Sequence, residues 1–156
     1  MENEITVKDW LEYARLDRDT ALHLLENMFP PPLDIICFHC QQSAEKHLKA
    51  LLSARKIEFE KSHNLLYLTK LQSNQSVTPA NVLTACSELN SYSVVSRYPG
   101  GGQATLEETK KAVKNLNAVV AWVLKEFKKL EREDKAAVRA LKKSRSAAKN
   151  PPSRSD

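Results

Sequence analysis

Residues 38–52 read FHCQQSAEKHLKALL and belong to a longer stretch, Asp34 to Arg55, that contains neither proline nor glycine. Small and apolar side chains recur in it about every four residues, which places them on one face of an α-helix; they are Ile36, Cys40, Ala44, Leu48 and Leu51 or Leu52. Another face is polar and carries Gln42, Glu45, Lys46 and Lys49. The stretch therefore predicts an amphipathic helix with one side in the core.

The segment before it, Val7 to Met28, predicts a second helix with a similar pattern. Its inward stripe alternates steps of four and three: Trp10, Ala14, Asp17, Ala21, Leu24 and Met28. Asp17 is the charged member, and a buried carboxylate without a partner is costly, so we expect Asp17 to be paired or close to a solvated edge. Three prolines at 30–32 end this helix, because proline cannot continue the hydrogen-bond ladder.

The remainder of the chain predicts three more helices. Ser62 is a fair N-cap for a short helix to Leu71, and Thr78 with Pro79 begins another that reaches about Ser96. Pro99 and three glycines form a break, after which the longest helix starts near Thr105. Strand-like alternation is missing. We predict an all-α fold, an up-and-down antiparallel bundle of four main helices plus a short one.

The charge is distributed unevenly along the 156 residues. Residues 135–156 hold seven Lys and Arg against one Asp, a net charge of +6, which leaves −1 for residues 1–134 out of the chain's +5. We predict one helical domain over 1–134 and a basic, disordered tail over 135–156. A solvated tail is the first interpretation, and a phosphate-binding arm is the alternative.

The cysteines and the hydropathy indicate a cytoplasmic protein. Cys37, Cys40 and Cys86 are an odd number in apolar surroundings, so buried free thiols are favoured over disulfides or a zinc site. No apolar run approaches the roughly 18 residues of a membrane helix. We expect no metal, no cofactor and no membrane contact.

Several segments together resemble the HEPN family of helical, nucleotide-associated domains. The most specific is residues 38–52, which is similar to the family's signature helix with its Gln-x-x-Glu-Lys-x-x-Lys-Ala core. The stripe from Trp10 to Ala21, the tetrapeptide SHNL at 62–65, and Tyr92 followed by RYP at 97–99 complete the resemblance.

The resemblance implies a bundle that often dimerises and is often encoded beside a small nucleotidyltransferase, as a toxin–antitoxin-like pair. Some family members are metal-independent ribonucleases that use an Arg followed four to six residues later by a His, near the start of the last helix. Here Arg97 is followed by YPGGGQ, without a His. We therefore expect a non-catalytic nucleotide- or RNA-associated binding and assembly module. The alternative is a ribonuclease whose Arg/His site is displaced, with His63 approaching Arg97.

The candidate site residues fall into two sets. For nucleotide or phosphate binding they are Arg97, beside a glycine-rich loop that leads to a helix N-terminus, with Lys46, Lys49 and His63. For a polar network they are Asp17, Gln42, Glu45, Tyr92 and Tyr98. Asp17 could accept from Lys46 or from Arg97, and Glu45 with Lys49 could instead be an ordinary pair on a solvated face.

Three aromatic residues suggest how copies of the chain associate. Trp10, Trp122 and Phe127 lie on the apolar faces of the first and last helices, and we expect part of this surface to exceed what one thin bundle can cover. A homodimer follows as the predicted assembly.

Overall fold

The computed structural model describes residues 4–94 and 103–149, and every regular element in these ranges is helical. The predicted all-α bundle is confirmed, and the boundaries of its first two helices are within one residue of the predicted ones. None of the helices in the described ranges is both long and apolar enough to span a membrane. The elements are α1 (Val7–Asn27), α2 (Leu33–Ala54), α3 (Leu65–Leu71), α4 (Ala80–Leu89), a 3-10 turn (Asn90–Tyr92) and α5 (Leu106–Lys149).

Helix α2 is the central element of the bundle. It packs against α1, α3, α4 and the 3-10 turn, and 13 of its 22 residues are buried. The predicted inner face is buried as expected, but so are Glu45 and Lys49 of the face predicted to be polar, together with Gln41. A helix surrounded on several sides has little solvated surface left, so its charged side chains need partners inside the protein.

Helices α1 and α2 form an antiparallel pair in close contact. The Ser43 hydroxyl on α2 donates to the Ala14 carbonyl on α1 at 2.7 Å. Lys49 lies over the ring of Trp10, and Lys46 pairs with Asp17. Residue numbers thus fall along α2 as they rise along α1, which is the pattern of an antiparallel pair. Small residues allow this approach, since Ala14 and Ala44 are both fully buried.

Local side-chain hydrogen bonds define the helix starts. The Thr6 and Asp9 side chains form a capping box at α1, in which each accepts from the other's backbone N–H. Thr105 and Glu108 do the same at α5, with Glu108 accepting at 2.8 Å from the Thr105 backbone.

The prediction of Ser62 as the cap of α3 is wrong by two residues. Asn64 is the N-cap, and its Oδ1 accepts from the backbone of Leu66 at 3.0 Å and of Tyr67 at 3.2 Å. The Ser62 hydroxyl accepts from the Asn64 backbone instead. Asn90, which is distant in the sequence, stabilises Asn64 as the cap. Its Nδ2 donates to the Asn64 Oδ1, and its Oδ1 accepts from the Leu65 backbone N–H.

The fourth helix is shorter than predicted. It ends at Leu89 and tightens into the 3-10 turn that ends at Tyr92, whereas the predicted end near Ser96 lies outside the described residues.

The chain divides into two compact units, Met1–Val123 and Leu124–Asp156. In the second unit the predicted disorder differs from the structure over residues 135–149, which are helical. The segment is rich in Ala, Lys, Arg and Leu and has no glycine or proline before Pro151, so its residues favour helix even where they are exposed. A domain boundary at residue 134 stays a prediction.

The corrected cap gives a direct stability prediction. Asn64→Ala removes the acceptor for two helical N–H groups, so we expect the free energy of unfolding in urea to fall by about 1–2 kcal/mol. Ser62→Ala, the matched control, should cost less than half as much. A larger loss for Ser62→Ala would restore Ser62 as the cap.

Candidate functional site

Asp17 on α1 is held between two side chains of α2. Its carboxylate accepts a hydrogen bond from the Lys46 ammonium on one oxygen and from His39 Nδ1, at 2.8 Å, on the other. His39 and Lys46 are seven residues apart, two helical turns, so both project from one face of α2 toward α1. The charged residue in the stripe of α1 is thus paired, as the sequence required.

A second carboxylate, Glu45 of α2, organises three more groups. One oxygen accepts from Lys49 Nζ at 2.7 Å, and the other accepts from His63 Nδ1 at 3.0 Å and from Gln41 Nε2 at 3.3 Å. Gln41, Glu45 and Lys49 follow one another at steps of four, which aligns them along α2. Gln41 also donates to the His63 carbonyl at 3.0 Å, and so connects α2 to the chain before α3.

Lys49 is buried, with only 7% of its surface exposed. Its ammonium lies 5.3 Å from the ring centre of Trp10 and 5.8 Å from that of Phe59. Aromatic faces attract a cation, most of all where water is excluded. The two rings and the Glu45 carboxylate together replace the water that the ammonium loses.

The lysine and carboxylate charges of this network balance. Two ammonium groups, on Lys46 and Lys49, face two carboxylates, on Asp17 and Glu45. Each of these two lysines is therefore already bound to an anion, and a phosphate would have to displace a carboxylate to use them. The arrangement supports a structural role for these lysines over the predicted phosphate-binding role.

The other predicted site residues are placed differently. Gln42 joins the network by donating to the Gln41 side chain at 2.8 Å. Tyr92 is near Cys37, more than two helical turns from Glu45, and burial raises the pKa of its hydroxyl. It lines a separate cleft of about 300 Å³. Arg97 and Tyr98 lie outside the described residues, so their predicted roles stay predictions.

The cleft beside Tyr92 is formed by α4, the 3-10 turn and the first turns of α5. Glu88 accepts there from Asn115 at 2.6 Å and pairs with Lys111 at 3.0 Å. These contacts, that of Asn115 first, lower the pKa of Glu88.

Sequence reasoning missed four polar residues of α2: His39, Gln41, Ser43 and His47. His47 Nδ1 donates to the Ser43 carbonyl at 2.8 Å, and burial lowers the pKa of the ring, so it is neutral in the fold. The spacing to Lys46 could have revealed His39. The bond from Ser43 to α1 has no such signal, because it depends on which helix lies opposite.

The three cysteines are free and buried. Burial raises the pKa of Cys40 and of Cys86 to about 12, which keeps both as unreactive thiols. Cys37 Sγ donates to the Thr109 hydroxyl of α5 at 3.5 Å. Within residues 4–94 and 103–149, no three His, Cys, Asp or Glu side chains converge as a metal site would require.

A family model described as HEPN domain matches residues 7–133. The chain belongs to the HEPN domain family. No curated protein sequence matches it.

Solved structures agree with the family assignment. TT1696 from Thermus thermophilus is 27% identical with a TM-score of 0.68, over 79% of this HEPN chain and 99% of its own. The archaeal HEPN homologue ST0689 is 24% identical with a TM-score of 0.63, over 78% and 97%. An HEPN domain protein from Thermotoga maritima is 20% identical with a TM-score of 0.51, over 79% and 94%. The last two establish similarity of fold.

The buried pair gives a second stability prediction. Glu45→Gln leaves the Lys49 ammonium without its carboxylate, and we expect the free energy of unfolding in urea to drop by about 3–5 kcal/mol. Glu45→Gln with Lys49→Met removes both charges and should recover most of this loss. The control is Glu12→Gln, which breaks the exposed Glu12–Arg15 pair and should cost less than about 1 kcal/mol. Equal effects of Glu45→Gln and Glu12→Gln would contradict a buried structural pair.

Proposed function

We propose that this HEPN domain is a non-catalytic binding and assembly module that works in the cytoplasm as a homodimer, together with a nucleotidyltransferase partner in a toxin–antitoxin-like system. The observation that carries the proposal is the neutralised network on α2. The signature residues Glu45, Lys46 and Lys49 hold helices together and leave no free cation of their own for a substrate.

Chemical requirements also support a non-catalytic role. Metal-independent RNA cleavage needs a group that exchanges protons with the attacking hydroxyl and the leaving oxygen, and an Arg cannot do this at neutral pH. His39 is bound to Asp17, and His47 is buried against the Ser43 carbonyl. The segment after Arg97 supplies no His at the family's ribonuclease spacing.

A nucleotide or RNA phosphate remains the proposed ligand of Arg97. The helix that follows the glycine-rich loop already has an anion at its N-terminus, since the Glu108 carboxylate accepts from the Thr105 backbone. The Glu108 carboxylate weakens the attraction of this helix N-terminus for phosphate, so the guanidinium of Arg97 would have to supply most of the binding energy.

We propose a dimer surface that differs from the one predicted from the sequence. Trp122 is only 6% exposed, because it packs inside the chain, so it does not contribute to a contact between copies. A cluster of exposed apolar side chains lies instead at the turn between α1 and α2, where Met28, Ile35 and above all Phe29, 96% exposed, face solvent. Apolar residues gathered in this way favour association.

We expect light scattering at tens of micromolar to give about twice the chain mass of 17.6 kDa. Phe29→Ser should shift the mass toward a single chain because it removes the largest apolar side chain of the turn. Val77→Ser is the matched control, since Val77 is also highly exposed but lies in the loop before α4, and it should stay dimeric. A wild-type mass of one chain would remove the dimer from the proposal.

One observation favours the alternative function, a ribonuclease with a displaced site. The His63 side chain is 71% exposed, and its Nδ1 is held by the buried Glu45, which directs the other ring nitrogen away from the carboxylate. A His oriented by a carboxylate is a common proton-transfer group. If Arg97 approached His63, the two residues would supply a phosphate-binding guanidinium and a proton-transfer imidazole, which a metal-independent ribonuclease site needs.

A cleavage assay in the presence of a chelator separates the two functions. We expect purified protein to cleave single-stranded RNA no faster than buffer does. Cleavage that is lost in Arg97→Ala and in His63→Ala would establish the displaced site. His23→Ala is the control, because His23 is an exposed His that contacts Asn27 of its own helix, and it should leave any such activity unchanged.

A further inference from the structure

The charge pattern of α5 changes abruptly at residue 135. Residues 124–134 contain four Lys or Arg and four Asp or Glu, so their charges balance. The segment 135–149 contains six basic residues and no acidic one. Intrahelical ion pairs can therefore neutralise the first part, as Lys129 does with Glu126 at 2.9 Å, but not the second.

Helical geometry gathers these charges into a line. At about 100° per residue, four of the six basic residues fall within a sector of about 80°; they are Lys135, Arg139, Lys142 and Lys149, which we call the basic stripe. Lys143 and Arg145 flank it on either side. All six residues are exposed, and the stripe is about 21 Å long at 1.5 Å per residue.

The opposite face of the same segment argues against a lipid surface. It consists of alanines with Ser144 and a single large apolar residue, Leu141, and it has no aromatic side chain. Helices that lie in a membrane interface need a broad apolar face to bury. This helix has a strong cationic side and almost no apolar side, so its attraction to a partner must be mainly electrostatic.

We propose that residues 135–149 bind the phosphodiester backbone of a nucleic-acid duplex. A duplex carries about one negative charge per 1.7 Å of its axis, so a stripe of 21 Å faces roughly 12 of them. Lys and Arg contacts to phosphate carry no base information, and the binding is independent of sequence. This adds a ligand to the proposed assembly role, and it is tested apart from that role because the measurement uses neither the nucleotidyltransferase nor the network on α2.

Two matched triple variants of the full-length chain test the proposal. The first is Lys135→Gln, Arg139→Gln and Lys142→Gln, which removes three charges of the stripe. The control is Lys125→Gln, Lys128→Gln and Arg132→Gln, which removes the same residue types at similar spacing from the balanced, exposed part of α5. Circular dichroism and melting confirm that both variants fold as the wild type does.

The measurement is fluorescence anisotropy with a labelled 20-base-pair RNA duplex and a DNA duplex of the same sequence, between 50 and 200 mM salt. For the wild type we expect the logarithm of the affinity to fall linearly with the logarithm of the salt concentration. If all six basic residues contact phosphates, the slope should be about −5, and fewer contacts should give a shallower slope. The stripe variant should lose at least tenfold in affinity at the lowest salt and flatten the slope by about 2 to 3. The control should keep the wild-type slope.

Two outcomes support the proposal. Equal slopes on both duplexes would identify the phosphodiester backbone that they share as the ligand. Binding to one duplex alone would identify that nucleic acid, RNA or DNA, as the ligand. Equal losses in the two triple variants would show a general charge effect and overturn it. Binding to phosphatidylserine vesicles without binding to either duplex would also overturn it and assign the helix to a membrane surface.

Discussion

The buried ion pair between Glu45 and Lys49 is the interaction on which the bundle is built. Placing two charges on the central helix of a small domain is costly unless each finds a partner and further hydrogen bonds. Helix α1 and the loop before α3 supply these: Trp10 and Phe59 face the ammonium, and His63 donates to the carboxylate. The positions of α1 and of the chain before α3 are thereby coupled to one pair of side chains.

This dependence explains why a sequence signature with so many charges belongs to a structural core. Gln41, Glu45 and Lys49 form a line along α2, and Lys46 with His39 encloses Asp17 on the next face. The contacts between α1 and α2 fix the register of these helices, because sliding one past the other would separate Asp17 from Lys46 and His39, and Lys49 from Trp10. Apolar packing between Ala14 and Ala44 alone would tolerate that movement more easily. Because Lys46 and Lys49 are already bound to carboxylates in this network, the proposed phosphate role rests mainly on Arg97.

The chain combines two electrostatic designs. Up to residue 134 the charges nearly cancel, and inside the bundle they do so pairwise, whereas residues 135–149 leave six positive charges unopposed on an exposed helix. A bundle without net charge suits association through exposed apolar side chains, as proposed for Phe29, and a cationic helix suits long-range attraction to a polyanion. The two parts can therefore serve different partners without interfering with each other.

The sequence by itself determined the helical class, the order and approximate limits of the helices, and the family, because periodicity, proline positions and the motif at 38–52 are local properties. It also predicted that Asp17 must be paired or close to a solvated edge. Only the tertiary structure decided how the charged face of α2 is used: the sequence left Glu45 and Lys49 open between a polar network, phosphate binding and a solvated pair, and the structure buries both. The cap of α3 was missed for the same reason, since Asn90, 26 residues away, completes the hydrogen bonds of Asn64. Helicity beyond residue 134 was underestimated because strong charge was given more weight than the helix propensity of Ala, Lys and Arg. For the network and the cap, local patterns placed the polar groups on their helices, and contacts distant in the sequence decided which partners these groups received.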